Sequence, residues 1–249
     1  MKKLETIYAD GGHKWSVIAR DPKKSNYIID TNEYLVSYNG ESLLTDPGGM
    51  EIFHAVFGAI AEKDSPENIT ALFSSHQVPD IISSLALWLE FKPELKCHLS
   101  WLWAGFIPHF GGDDATFVSI PDEGHKINLN GLSLDAVPAH YLHSSGNFHL
   151  YDAKAKIYFS GDVGAALIPH DNDYLYVENF DEHIQYIKGF HQRWMGSNEA
   201  KIDWCERVSK MSIDMLCPQH GAIYTGDNVG RFINWFSELP VGVLKRSVA

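Results

Sequence analysis

The chain has 249 residues, 45% hydrophobic and 12% aromatic, enough for one substantial core and too apolar for a disordered segment. A formal charge of −12 argues against nucleic-acid binding, which needs a basic footprint. No apolar run approaches the ~20 residues needed to span a bilayer, and Met1-Lys2-Lys3 leads into mixed polar residues, so neither a membrane span nor secretion is expected. Cys97, Cys205 and Cys217 are odd in number and form no Cys-x-x-Cys pair, which reads as reduced, buried thiols in a cytoplasmic setting.

The first third reads as strands. Leu4–Tyr8, Trp15–Ala19, Tyr27–Ile29, Glu33–Tyr38 and Glu41–Thr45 are short and rich in β-branched or aromatic residues. Asp10-Gly11-Gly12, Asp21-Pro22 and Asn39-Gly40 supply the turns, the last a hairpin signal. After Asp46-Pro47-Gly48-Gly49, Met50–Ala61 is predicted helical, with Ile52, Val56 and Ile60 on one face. Asn68–Phe73 is a short buried strand, and Ile81–Leu89 a single helix with Pro79 in its first turn. The aromatic stretch Cys97–Gly112, with Trp101, Trp103, Phe106, His109 and Phe110, is expected to pack in the core, with a pocket wall as the alternative. A second set of strands follows at Thr116–Ile120, Ser133–Val137, Phe148–Tyr151 and Lys156–Phe159. Asp181–Trp194 is helical, with Ile184, Ile187 and Trp194 on its apolar side. Glu199–Lys210 is a second helix, Ile213–Cys217 a strand, and Asn228–Glu238 a last helix with Phe232, Trp235 and Phe236 inward. Without linker, repeat or low-complexity tract, residues 1–249 read as one α/β domain: two sheets covered outside by helices, an αββα sandwich.

Four strand ends carry residues able to bind metal. His76 and Asp80 follow the Asn68–Phe73 strand, and His140 and His143 follow Ser133–Val137. Asp162 follows Phe159-Ser160-Gly161, and His220 follows Cys217-Pro218-Gln219. Taken singly, each has a plainer role: Asp162 a turn or helix cap, each histidine a hydrogen-bonding rim residue. Taken together, the order His-x-x-x-Asp, His, Asp, His lies where open α/β sheets place their sites.

That order resembles the metallo-β-lactamase superfamily, and within it the diiron core of flavodiiron proteins and the stand-alone oxygen-binding diiron proteins akin to them. The resemblance runs over nearly the whole chain. It is carried by Ser75-His76-Gln77-Val78-Pro79-Asp80-Ile81, by Trp103–Gly111, by His140–Phe148, by Phe159-Ser160-Gly161-Asp162-Val163-Gly164 and by Pro218-Gln219-His220-Gly221. It implies that His76, His143 and Asp162 face one metal and Asp80, Asp162 and His220 the other, with Asp162 bridging. Two imidazoles with one carboxylate suit non-haem Fe(II), and without a thiolate, manganese and zinc also fit. The chain departs from the family pattern twice. Val78 stands where a Glu or Asp ligand is usual, a gap that water or a neighbour such as His140 could fill. Ile81 stands where flavodiiron proteins and hydrolases have His; the shorter oxygen-binding relatives lack it too, leaving a position where dioxygen could bind.

The resemblance therefore implies a cytoplasmic, non-haem diiron protein that binds dioxygen as a sensor. No flavin-binding domain follows in these residues, so the alternatives are a reductase of O2, NO or peroxide fed by a separate electron donor, or a metal-dependent hydrolase. Hydrolysis is disfavoured because the zinc pattern wants His at positions 78 and 81. A protein partner for signalling or electron transfer is expected. The negative surface would suit a basic receptor face.

Overall fold

Alternating side chains sort the chain into layers, because successive strand residues point to opposite faces. The computed structural model describes residues 2–21, 23, 30–113, 116–170, 172 and 174–243; the predicted strand Tyr27–Ile29 lies outside them. A seven-stranded sheet holds β1 (Leu4–Asp10), β2 (His13–Ile18), β3 (Glu33–Tyr38), β4 (Glu41–Thr45), β5 (Ile69–Phe73), β6 (Lys96–Ser100) and β7 (Phe117–Ile120) in sequence order. β1 to β4 pair antiparallel and β4 to β7 parallel. The second sheet has six strands: β8 (His125–Leu129), β9 (Leu132–Pro138), β10 (Phe148–Asp152), β11 (Ile157–Phe159), β12 (Met215–Cys217) and β13 (Tyr224–Thr225). Only β11 and β12 pair parallel in it.

Tyr34, Val36, Leu43, Ala71 and Phe73 from the first sheet meet Phe148, Leu150, Ile157 and Phe159 from the second in one buried layer. Their sequence neighbours Leu35, Leu44 and Leu72 turn outward, against α1 (Phe53–Ala61), α2 (Pro79–Ile82) and α3 (Leu85–Phe91). On the other side, Tyr151, Tyr158 and Leu216 pack against α4 (Phe180–Trp194), α5 (Asn198–Val208) and α6 (Asp227–Glu238). The result is the predicted αββα order. Phe73 and Phe159 meet edge to face across the two sheets, 6.3 Å apart, and truncating either to alanine costs about 3–5 kcal/mol.

The β3–β4 hairpin turns on Asn39 (φ 48) and Gly40 (φ 87), the positive pair that such a two-residue turn demands. Elsewhere the structure corrects the expectations. The helix predicted over Ile81–Leu89 is broken into α2 and α3, because Ser83 and Ser84 bond the preceding loop: Ser83 Oγ accepts from Met50 N, and Ser84 Oγ donates to the Pro47 carbonyl. The aromatic stretch is core only in part: Trp103 and Phe110 pack against the outer apolar layer, and Trp101 and Phe106 do not. Residues Trp101–Phe110 wind as 3-10 helix with Ile107 buried, while Trp101 (48%) and Phe106 (49%) are half exposed. Trp194 is also half exposed (50%). β6, β8 and β13 are strands beyond those predicted.

Candidate metal centre

Four loops meet at one edge of the sandwich because their strands end there. β5, β11 and β12 run the same way in their sheets, and the β9–β10 turn reaches the same rim. Backbone hydrogen bonds tie the loops together. Phe148 N donates to the Ser75 carbonyl (2.9 Å) and Gln219 N to the Gly161 carbonyl (2.8 Å). Gly161 has φ +50, and a Cβ there would lie 3.2 Å from both Ser75 Cβ and Oγ. Glycine beside Asp162 thus suits both the left-handed backbone and the close approach of the two loops.

All five residues predicted as ligands arrive at this rim. The ligand atoms of His76, His143 and Asp162 lie within 4.8 Å of one another. Asp162 Oδ2 is 2.8 Å from His143 Nε2 and 3.6 Å from His76 Nε2. Its other oxygen, Oδ1, is 3.2 Å from His220 Nε2, which lies 3.5 Å from Asp80 Oδ2. One carboxylate thus faces two histidines on one side and a His–Asp pair on the other. The aromatic ring of Trp194 stands 5.4 Å from the His143 ring. Asp80 has the most open side chain of the five, about a third exposed at 34%.

Neighbouring groups set the imidazole tautomers. Asp46, fully buried at the end of β4, accepts from Ser75 N (2.6 Å) and from Ser75 Oγ (2.8 Å). With its only hydroxyl proton directed to Asp46, Ser75 Oγ accepts from His76 Nδ1, 2.9 Å away. That leaves the lone pair on His76 Nε2, aimed at Asp162. His220 Nδ1 donates to the Asp30 carbonyl (2.8 Å), so Nε2 is again the atom that faces the carboxylates. Such outer hydrogen bonds orient histidine ligands in metal sites. Composition gave no sign of Asp46, which the sequence presents as the start of a turn. The available signal was that β4 and β5 are parallel neighbours, placing their C-terminal ends side by side.

Charge at the rim is unevenly held. Burial pushes the His76 imidazole down to about 4, so it is neutral. Burial acts the same way on His220 but is outweighed by the carboxylates of Asp162 and Asp80, and its pKa rises to about 9. His143 is raised for the same reason, burial losing to Asp162. Burial would raise Asp162, yet the flanking imidazoles hold it well below the usual range. Asp80 and Asp46 are both raised by burial.

These residues fit a metal centre on two counts. His76 Nε2 is buried without a hydrogen-bond partner, an arrangement that is costly unless something else satisfies it. The donors are three imidazoles and two carboxylates, a nitrogen and oxygen set suited to first-row divalent ions. His140 does not join them: its Nε2 lies 2.8 Å from the Asp122 carbonyl and its ring packs on Phe148. Nor do the two departures from the pattern. Ile81 is fully buried in the outer apolar layer, and Val78 packs against that layer.

The sequence profile described as "ODP family beta lactamase" matches residues 29–221. The chain belongs to this family. Among solved structures, this ODP-family chain is 38% identical to the chemotaxis sensor ODP in a peroxy diiron species, with TM-score 0.85 and 96% of each chain covered. It is 37% identical to the apo state of the chemotaxis sensor ODP from T. denticola, with TM-score 0.84 and 97% of each chain covered. Rubredoxin oxygen:oxidoreductase from Desulfovibrio gigas shares the fold at 18% identity, with TM-score 0.81 over 94% of this chain and 61% of that one. The chain spans 36% and 58% of the length of two curated relatives it matches at 24% and 23% identity.

Proposed function

We propose that this ODP-family chain is a non-haem diiron protein that binds dioxygen as a sensor. His76, His143 and Asp162 would hold one iron, and Asp80, Asp162 and His220 the other. The observation that carries this reading is the placement of Asp162, one oxygen toward His76 and His143 and the other toward His220, beside a buried His76 Nε2 that has no partner. Similarity to a chemotaxis sensor over 96% of both chains supports it.

A reduced pair of irons would supply the electrons that dioxygen takes up. The chain's own residues set the conditions. Two carboxylates balance only part of the charge of two divalent ions, which favours the ferrous over the ferric state. Neither Val78 nor Ile81 can ligate, and both pack in or against the outer apolar layer, so five residues alone would leave the coordination shell incomplete. Trp194, stacked at 20° on Phe190, sets an aromatic ring 5.4 Å from the His143 ring. Ser75 and the Asp30 carbonyl keep His76 and His220 in the tautomers that present Nε2.

We read the setting as cytoplasmic. Cys97, Cys205 and Cys217 are buried free thiols, and no helix among the described residues is long and apolar enough to cross a membrane. A separate signalling protein would receive the output. The test is to load the protein with Fe(II) anaerobically and admit air. The expected outcome is a near-ultraviolet absorption band that forms once per iron pair and needs no added reductant. Continuous O2 or NO consumption with an electron donor would instead make it a reductase. Turnover of a chromogenic ester by the zinc-loaded protein would make it a hydrolase. Loading with manganese or zinc in parallel decides the metal.

A further inference from the structure

Lys2 is a buried lysine, 5% exposed, that the proposed centre does not use. Its Nζ donates to the Thr31 carbonyl (2.6 Å) and to Glu33 Oε2 (2.9 Å), and lies 3.7 Å from Asp30 Oδ1. Glu33 is itself wholly buried and also accepts from Thr31 Oγ1. A buried lysine and glutamate are costly to desolvate, and two apolar residues would serve the fold as well. What the pair grips is therefore informative. The segment they hold, Asp30–Tyr34, is the cradle of the His220 loop. Asn32 N donates to the Gln219 carbonyl (2.6 Å), and Asn32 Nδ2 donates to the carbonyls of Pro218 (3.2 Å) and Gly221 (3.1 Å). Tyr34 Oη donates to the Pro218 carbonyl (2.9 Å), and the Asp30 carbonyl accepts from His220 Nδ1 (2.8 Å). No comparable contact runs from Lys2 to the His76 or His143 loops among the described residues.

We infer that Lys2 is a positioning residue for His220: it fixes the Asp30–Tyr34 segment, and through the Asp30 carbonyl it sets the affinity of the Asp80–Asp162–His220 position without touching the His76–His143 position. This rests on the five-ligand reading above. Losing an outer-shell partner of a metal-bound histidine typically weakens metal binding about 10- to 100-fold. The loss here falls on one of two adjacent positions.

The experiment titrates Fe(II) anaerobically, and Zn(II) in parallel, into wild type, Lys2→Met and the double variant Lys2→Met/Glu33→Met. The double variant replaces the buried pair with apolar side chains, so it keeps the fold while removing the tether. Wild type should take two ions. Both variants should keep the first at unchanged affinity and bind the second about 10- to 100-fold more weakly. In the zinc-loaded proteins, the His220 Nδ1 proton should exchange slowly with water in wild type and faster in the double variant, a nuclear magnetic resonance signal that a purely structural role would leave alone. Two tight ions in the double variant, or parallel loss of both, would overturn the inference. Wild type taking fewer than two would instead overturn the five-ligand reading.

Discussion

Metal uptake should expel protons, and the ion on the His220 side should be the more sensitive to pH. Without metal, Asp162 and Asp80 hold His220 protonated up to about pH 9, whereas burial keeps His76 neutral down to about pH 4. A histidine must be neutral to ligate, so binding at His220 competes with that proton. Each pH unit below 9 then weakens the apparent affinity of that position about tenfold, which makes about 100-fold at pH 7. His143, at the other position, is raised too, so uptake there also releases a proton and is favoured by higher pH. The metal-free protein should show the opposite trend in stability. The folded pKa of His220 lies above the unfolded value near 6.5, so its contribution is complete below pH 6.5 and lost as pH rises through 9, up to about 3 kcal/mol. The assay is competition of Zn(II) against a chromophoric chelator from pH 6 to 9, with calorimetry in two buffers of different ionisation heat. The logarithm of the second affinity should rise with a slope near one. A flat profile, or calorimetric heats that do not depend on the buffer, would refute the reasoning.

Three substitutions test the site further. Asp162→Ala removes the one carboxylate that faces both sides, and iron per chain should fall below one by elemental analysis; wild-type iron content would remove Asp162 from the centre. Ser75→Ala leaves His76 Nδ1 unpartnered and takes one of the two donors from buried Asp46. It should cost about 1–3 kcal/mol in denaturant unfolding and weaken metal binding about 10- to 100-fold; no change in either would show that the Asp46–Ser75–His76 chain sets no tautomer. Val78→Glu, two residues after His76, should restore a carboxylate and tighten the first ion in the same titration. Unaltered affinity would mean that position 78 points away from the metal.

The layered fold could be read from the sequence because its causes are local. Alternating burial separates Tyr34 and Val36 from Leu35, and the Asn39-Gly40 turn fixes where β3 ends and β4 begins. Features with distant causes were not legible. Ser83 and Ser84 look like helix interior until the Pro47–Met50 loop comes to bond them. The Trp101–Phe110 stretch has the composition of a core, and composition does not say whether a 3-10 segment lies inside or on the rim. β8 carries a weak sequence signal because the exposed Lys126 and Asn128 dilute a five-residue strand. At the site, the five side chains stand out because they follow strand ends in the order His-x-x-x-Asp, His, Asp, His, with Asp80 in the first turn of α2. Asp46, Ser75 and Lys2 do not, since their roles depend on which strand ends and loops lie side by side.

Anomalous diffraction at the iron edge, on crystals of the protein loaded with Fe(II) under anaerobic conditions, tests the central claim most directly. The account predicts two iron peaks, one among His76, His143 and Asp162 and one among Asp80, Asp162 and His220, with Asp162 between them. A peak anywhere else, or none at this rim in iron-loaded crystals, would contradict it.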